Sequence, residues 1–114
     1  MILLDNKKSL SEIQRMAEGM FGNFVKAVVD IQKRIMAIDA ELHADEEALL
    51  LGNGSSQNDL WGINIYPFLD QNGPDFIEFD SMINLRPSQG NRSRGVENIE
   101  TRNKIIAIVR DWIR

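Results

Sequence analysis

The sequence predicts an α+β domain, a mainly antiparallel sheet of four strands with helices packed on one face. Three observations carry that expectation. Apolar and polar residues alternate with a period of two over 76–86, and strand-like runs rich in β-branched residues recur at 24–32, 35–43 and 60–66. Helical three-four spacing marks both ends of the chain, near Leu10 to Met20 and over 101–113. Most connections are short, which favours antiparallel pairing over the long crossovers that parallel strands need.

Ser9-Leu10-Ser11-Glu12 is a capping-box pattern, with Ser9 at the cap and Glu12 reaching back. Leu10, Ile13, Ala17 and Met20 follow at helical spacing, and Gly19 and Gly22 mark the stop. The next stretch carries two patterns at once. Phe24, Val28, Ile31, Ile35, Ile38 and Leu42 fit a helix, whereas Val25, Ala27, Val29 and Ile31 fit a strand. Branched side chains lose rotamer freedom in a helix and pack well on a pleated surface. The preferred reading is therefore a hairpin, with strands at 24–32 and 35–43 around a turn at Lys33-Arg34. One continuous helix is the alternative, because that turn lacks the Gly or Asn of a two-residue hairpin loop.

Residues 44–51 read as a short helix with Asp45, Glu46 and Glu47 at its positive end and Gly52 as a left-handed stop. In the third strand, 60–66, Trp61, Ile63 and Ile65 point inward, and Pro67 ends the run. Gln71-Asn72-Gly73-Pro74 is a turn. In the fourth strand Ile77, Phe79, Ile83 and Leu85 share one side. An irregular loop over 87–98 leads to the closing helix, whose buried stripe is Ile105, Ile108, Val109 and Trp112.

Bulk properties bound the function. The 114 residues suit one domain spanning the whole sequence, with an ordinary 43% hydrophobic and 26% charged composition. No cysteine is present, which rules out disulfides and thiolate chemistry and favours a cytoplasmic setting. Met1-Ile2-Leu3-Leu4 meets Asp5 at once and has no basic flank, which argues against a signal peptide, and the longest apolar run, 105–109, is too short to span a bilayer. A formal charge of -4 gives no global attraction to nucleic acid or to anionic membranes.

The alternation also sorts side chains by face. Asp39, Glu41 and His43 share one side of the second strand, Asn64 and Tyr66 one side of the third, and Glu78, Asp80, Asn84 and Arg86 one side of the fourth. If these strands are neighbours, one surface collects four carboxylates, the single histidine, two asparagines and an arginine. A solvated sheet face shows the same alternation without any site. Crowded carboxylates nevertheless repel across strands and call for a positive counterpart. Arg86-Pro87-Ser88-Gln89-Gly90-Asn91-Arg92-Ser93-Arg94 could supply it, since guanidinium forks match carboxylate and phosphate alike. On the ligand reading Gln89, Arg92 and Arg94 bind an anion. On the structural reading the arginines pair with Asp39, Glu41, Glu78 or Asp80.

Glu41 and His43, with Glu78 or Asp80 as further donors, are the candidate ligands of a divalent metal, and His43 is a candidate general base. No cofactor fingerprint is present. Gly52-Asn53-Gly54-Ser55-Ser56 lacks the lysine of a phosphate loop, and Met16, Met20, Met36 and Met82 suit core filling.

The segments Glu41-Leu42-His43-Ala44-Asp45, Leu60-Trp61-Gly62-Ile63-Asn64 and Ile83-Asn84-Leu85-Arg86-Pro87-Ser88-Gln89-Gly90-Asn91-Arg92-Ser93-Arg94 together resemble a family of small prokaryotic proteins catalogued only as a domain of unknown function. The resemblance runs from about Phe21 to the C-terminus. It implies a stand-alone single domain and brings no activity, substrate or catalytic residue with it. Two functions are then expected. One is a binding or regulatory module for a small anionic ligand or a protein partner, a second copy included. The other is a metal-assisted hydrolase or phosphoryl-transfer enzyme in which Glu41, His43, Glu78 and Asp80 hold the ion and Arg86, Arg92 and Arg94 neutralise the substrate.

Overall fold

The computed structural model describes residues 1–114. Its central hairpin forms as expected. Strand β2 (Val25–Asp30) pairs antiparallel with β3 (Ile35–Ile38), Ala27 opposite Ile38 and Asp30 opposite Ile35. A buried carboxylate makes up for the missing turn residues. Asp30 Oδ1 accepts the backbone N–H groups of Gln32 and Lys33 at 2.9 Å each, and Oδ2 accepts the Ser55 hydroxyl at 2.6 Å. Arg34 takes the left-handed turn position at φ 57°.

The sheet has five strands, not four, in the order β1-β3-β2-β4-β5, with β1 (Ile2–Leu3), β4 (Leu60–Ile65) and β5 (Ile77–Glu78) joining the hairpin. All pairings are antiparallel. β1 escapes sequence reading because two residues inside a continuous apolar start carry no periodicity.

Helices cover both faces rather than one. From β2, β3 and β4, Ala27, Val29, Met36, Ile38, Ile63 and Ile65 form the main core with α1 (Leu10–Glu18) and α3 (Ile99–Trp112), through Ile13, Ala17, Ile105, Ile108 and Val109. The intervening residues Val28, Ala37 and Leu60 point the other way and pack on Leu50 of α2 (His43–Gly52). Every residue of β4 is buried. Strands covered on both sides read as continuous apolar runs, and Val28-Val29 is such a signal. At the start of α1 the capping box closes as expected, Glu12 Oε2 accepting Ser9 N–H at 2.8 Å and Ser9 Oγ accepting Glu12 N–H at 3.2 Å.

Two expected strands are cut short. β3 stops at Ile38 because Asp39 turns the chain at φ 68°, and His43 begins a helix instead of ending a strand. The alternation of Asp39, Glu41 and His43 on one strand face therefore does not exist. The run 76–86 pairs only at Ile77–Glu78 and then folds into a 3-10 turn at Met82–Asn84. Gly52 closes α2 within the helix, and the left-handed residue is Gly54, at φ 95°.

Candidate functional site

The fold gathers polar groups where the start of α2 overhangs β4 and β5. The buried residues of α2 are His43, Glu46 and Leu50, at i, i+3 and i+7, so one helical stripe delivers an imidazole and a carboxyl to the sheet. His43 Nε2 lies 2.7 Å from the Ile63 carbonyl oxygen. A carbonyl only accepts, so Nε2 carries the proton, and in the neutral ring Nδ1 is left as an acceptor. Burial holds the His43 pKa below its usual value, against the opposing pull of the Ile63 carbonyl. Glu46 is fully buried. Its Oε2 accepts the Ala40 N–H at 3.1 Å, while Oε1 has no partner. Burial pushes its pKa up to about 9, against that same Ala40 hydrogen bond. At neutral pH the helix therefore presents a neutral acid and a neutral base one turn apart.

Beneath them a row of side chains crosses the sheet. Lys26 stands opposite Asn64, and Asn64 opposite Glu78. Asn64 Nδ2 donates to Glu78 Oε1 at 2.9 Å and to the Asp80 carbonyl at 3.4 Å, leaving its buried Oδ1 without a partner. Tyr66 Oη donates to the same Glu78 Oε1 at 3.0 Å. Two neutral donors thus fix the Glu78 carboxylate and leave Oε2 free. Burial, then the hydrogen bond to Glu78, raises the Tyr66 pKa. Glu78 and Tyr66 border a cleft of about 330 Å³ whose other walls are Leu69, Pro74, Asp75 and Ile77. Behind Tyr66 the Phe24 ring lies at 5.5 Å and stacks on Phe21 at 4.6 Å. The chain has two ion pairs, Arg34–Asp111 and Arg94–Asp80, so neither Glu78 nor Asp75 meets a cation.

The sequence-derived candidates divide accordingly. His43, Asn64, Glu78, Asp80, Asn84 and Arg94 come together on the α2 side of the sheet. Arg94 Nε donates to Asp80 Oδ1 at 2.7 Å, which realises the structural reading for this arginine. Asn84 is wholly buried and serves as a substitute strand. It accepts from Gly62 N at 2.8 Å and donates to the Gly62 and Arg94 carbonyls at 2.9 Å each. Arg86 is also structural. Its guanidinium donates to the Ile83, Asn58 and Leu60 carbonyls and stacks over Trp61 at 4.5 Å. Glu41 is exposed on the connection into α2, and Gln89 and Arg92 are exposed on the far loop.

That loop is wired rather than flexible. Asn91 donates to the Asn84, Ser93 and Gly95 carbonyls and accepts from Glu97 N, while Glu97 Oε2 accepts from Arg92 N and Ser93 N. The proposed metal ligands Glu41, His43, Glu78 and Asp80 do not converge, and no three His, Asp or Glu side chains form a group able to hold an ion. The chain turn at Asp39 takes Glu41 off the expected strand face, and His43 reaches the corner from a helix instead.

Sequence reading missed Lys26, Glu46 and Asn91. For Glu46 the signal existed, since counting back from Leu50 by four and seven reaches Glu46 and His43 on one helical stripe. Asn91 offered none.

A five-stranded antiparallel sheet between helices, with one polar corner and no helix long and apolar enough to cross a membrane, defines a small α+β domain. The chain belongs to the family described as "Protein of unknown function (DUF5674)", whose model matches residues 2–112. No curated protein and no solved structure matches it.

Proposed function

We propose that this chain is a binding module, and that the group it binds is an organic cation seated in the cleft beside Glu78. The observation that carries the reading is the carboxylate itself. Tyr66 and Asn64 fix Glu78 through one oxygen, no cation neutralises it, and it stands at the lip of a cleft with apolar and aromatic walls. An ammonium or guanidinium on an aliphatic stem fits that combination, the charge on Glu78 and Asp75 and the stem along Leu69, Pro74 and Ile77. A small amine and a lysine side chain of a protein partner carry the same group. The anionic ligand expected from the arginine count has weaker support, because Arg86 and Arg94 are already committed.

Thermal unfolding with n-pentylamine, with sodium acetate as the anionic control, tests the proposal. Saturating amine at about 100 times its Kd adds about 2.7 kcal/mol of stability. The gain should weaken with salt and disappear in Glu78→Gln. Stabilisation by acetate alone, or an amine effect that survives Glu78→Gln, refutes it.

Catalysis is the second reading, favoured by the neutral His43 and neutral Glu46 one turn apart. It requires a turnover that is lost in both His43→Gln and Glu46→Gln.

A further inference from the structure

A narrow slot of about 90 Å³ lies between the segment carrying β5 and one stripe of α3. Phe76, Ile77 and Phe79 wall one side. Ile106 and Val109, at i and i+3, wall the other, and Arg110 completes the stripe at i+4. Phe76 and Val109 belong to the main core, so the slot lies on the α3 face of the sheet, opposite the His43 corner. It shares only Pro74 and Ile77 with the Glu78 cleft. Its volume is that of about three waters, the bulk of a short hydrocarbon chain. Apolar walls hold water poorly and favour an apolar occupant.

Arg110 sets the polar end of that occupant. The two ion pairs of the chain are Arg34–Asp111 and Arg94–Asp80, so Arg110 has no carboxylate partner. A second guanidinium, Arg102, lies one turn before Ile106 and 5.0 Å over the Phe79 ring. No carboxylate lines the slot. Asp70 packs behind Gly73 with Oδ1 accepting Asn72 N–H at 3.0 Å, and Asp75 opens onto the Glu78 cleft. Free carbonyls at the end of a helix repel anions, but here they are engaged. Val109 O accepts Ile113 N–H at 2.9 Å, Trp112 O accepts Lys8 N–H at 2.8 Å, and Ile113 O accepts Gln71 Nε2 at 3.3 Å. Apolar walls that end at an unpaired guanidinium match a carboxylate on a short hydrocarbon tail.

We infer that this slot binds a small aliphatic monocarboxylate, its tail between Phe79 and Ile106 and its carboxylate on Arg110. The inference does not depend on the cation reading of the Glu78 cleft.

The Ile106 methyl signals in two-dimensional proton–carbon spectra of the full chain, assigned with Ile106→Val, test it. Sodium butyrate should move them saturably. Acetate, two methylenes shorter, should bind about fifteenfold more weakly, at about fourfold per methylene. n-Butanol, of similar length without the charge, should bind about tenfold more weakly than butyrate, the value of a charge-assisted hydrogen bond. Arg110→Ala, a change at an exposed position, should bring butyrate down to the butanol level. Ile106 signals that ignore butyrate, acetate, n-butanol or n-butylamine binding as tightly as butyrate, or an undiminished butyrate affinity in Arg110→Ala overturns the inference.

Discussion

Gly62→Ala should be among the most damaging small changes in this chain, and the structure gives the size of the effect. A Cβ on Gly62 would lie 2.5 Å from Ser81 Cβ, 2.6 Å from Ser81 Oγ and 3.2 Å from Ile83 Cγ1. Ser81 cannot swing aside, because the clash is with its own Cβ and its backbone N–H is bonded to the Arg94 carbonyl at 2.9 Å. Relief requires the segment carrying the 3-10 turn to lift off β4. Overpacking of this kind costs about 1–3 kcal/mol. Lifting the turn also pulls Asn84 off Gly62 N and O, about 1 kcal/mol for each bond. The sum is about 3–5 kcal/mol, a fall in Tm of more than about 10 °C for a domain of this size. Urea unfolding at constant m-value is the assay. Gly52→Ala is the control: its new methyl meets nothing within 4 Å at the end of α2, so stability should hold or rise by up to about 1 kcal/mol. A Gly62→Ala protein within about 0.5 kcal/mol of the parent would refute the account of how the turn is held.

Asn84→Asp should destabilise more than a typical surface change, by about 2–4 kcal/mol in urea, because a carboxylate can accept from Gly62 N but cannot donate to the Gly62 and Arg94 carbonyls. The buried Glu46 should shape the alkaline side of the stability profile. Its folded pKa of about 9 lies above the ordinary carboxyl value of 4.5, so the folded state retains a proton that the unfolded chain has lost. Stability should therefore fall as pH rises between those two values, by up to about 1.4 kcal/mol per pH unit. Glu46→Gln should flatten this decline in melting temperatures measured from pH 5 to pH 9, and an unchanged slope would count against a buried neutral acid.

Local chemistry was legible from residue order alone. The capping box at Ser9 and Glu12, the choice of a hairpin over a helix at 24–43, the inward set Trp61, Ile63 and Ile65, and the closing helix all rest on interactions within a few residues or on a repeating pattern of burial. His43, Asn64, Glu78, Asp80, Asn84 and Arg94 do lie on one side of the sheet, but not through the strand alternation from which a shared face was expected. His43 reaches that surface from the first turn of a helix, not from the end of a strand. Interactions distant in sequence decided the remainder. Asp30 could be recognised as a turn-maker only once Ser55 was beside it, and Gly62 as indispensable only once Ser81 lay against it. Glu46 became a neutral acid because α2 closed the second face of the sheet, and burial is a property of the fold. Whether an arginine is free to meet a ligand is likewise settled by which carbonyl or carboxylate reaches it first. Arg86 found three carbonyls and Arg94 found Asp80, while Glu78 met no cation.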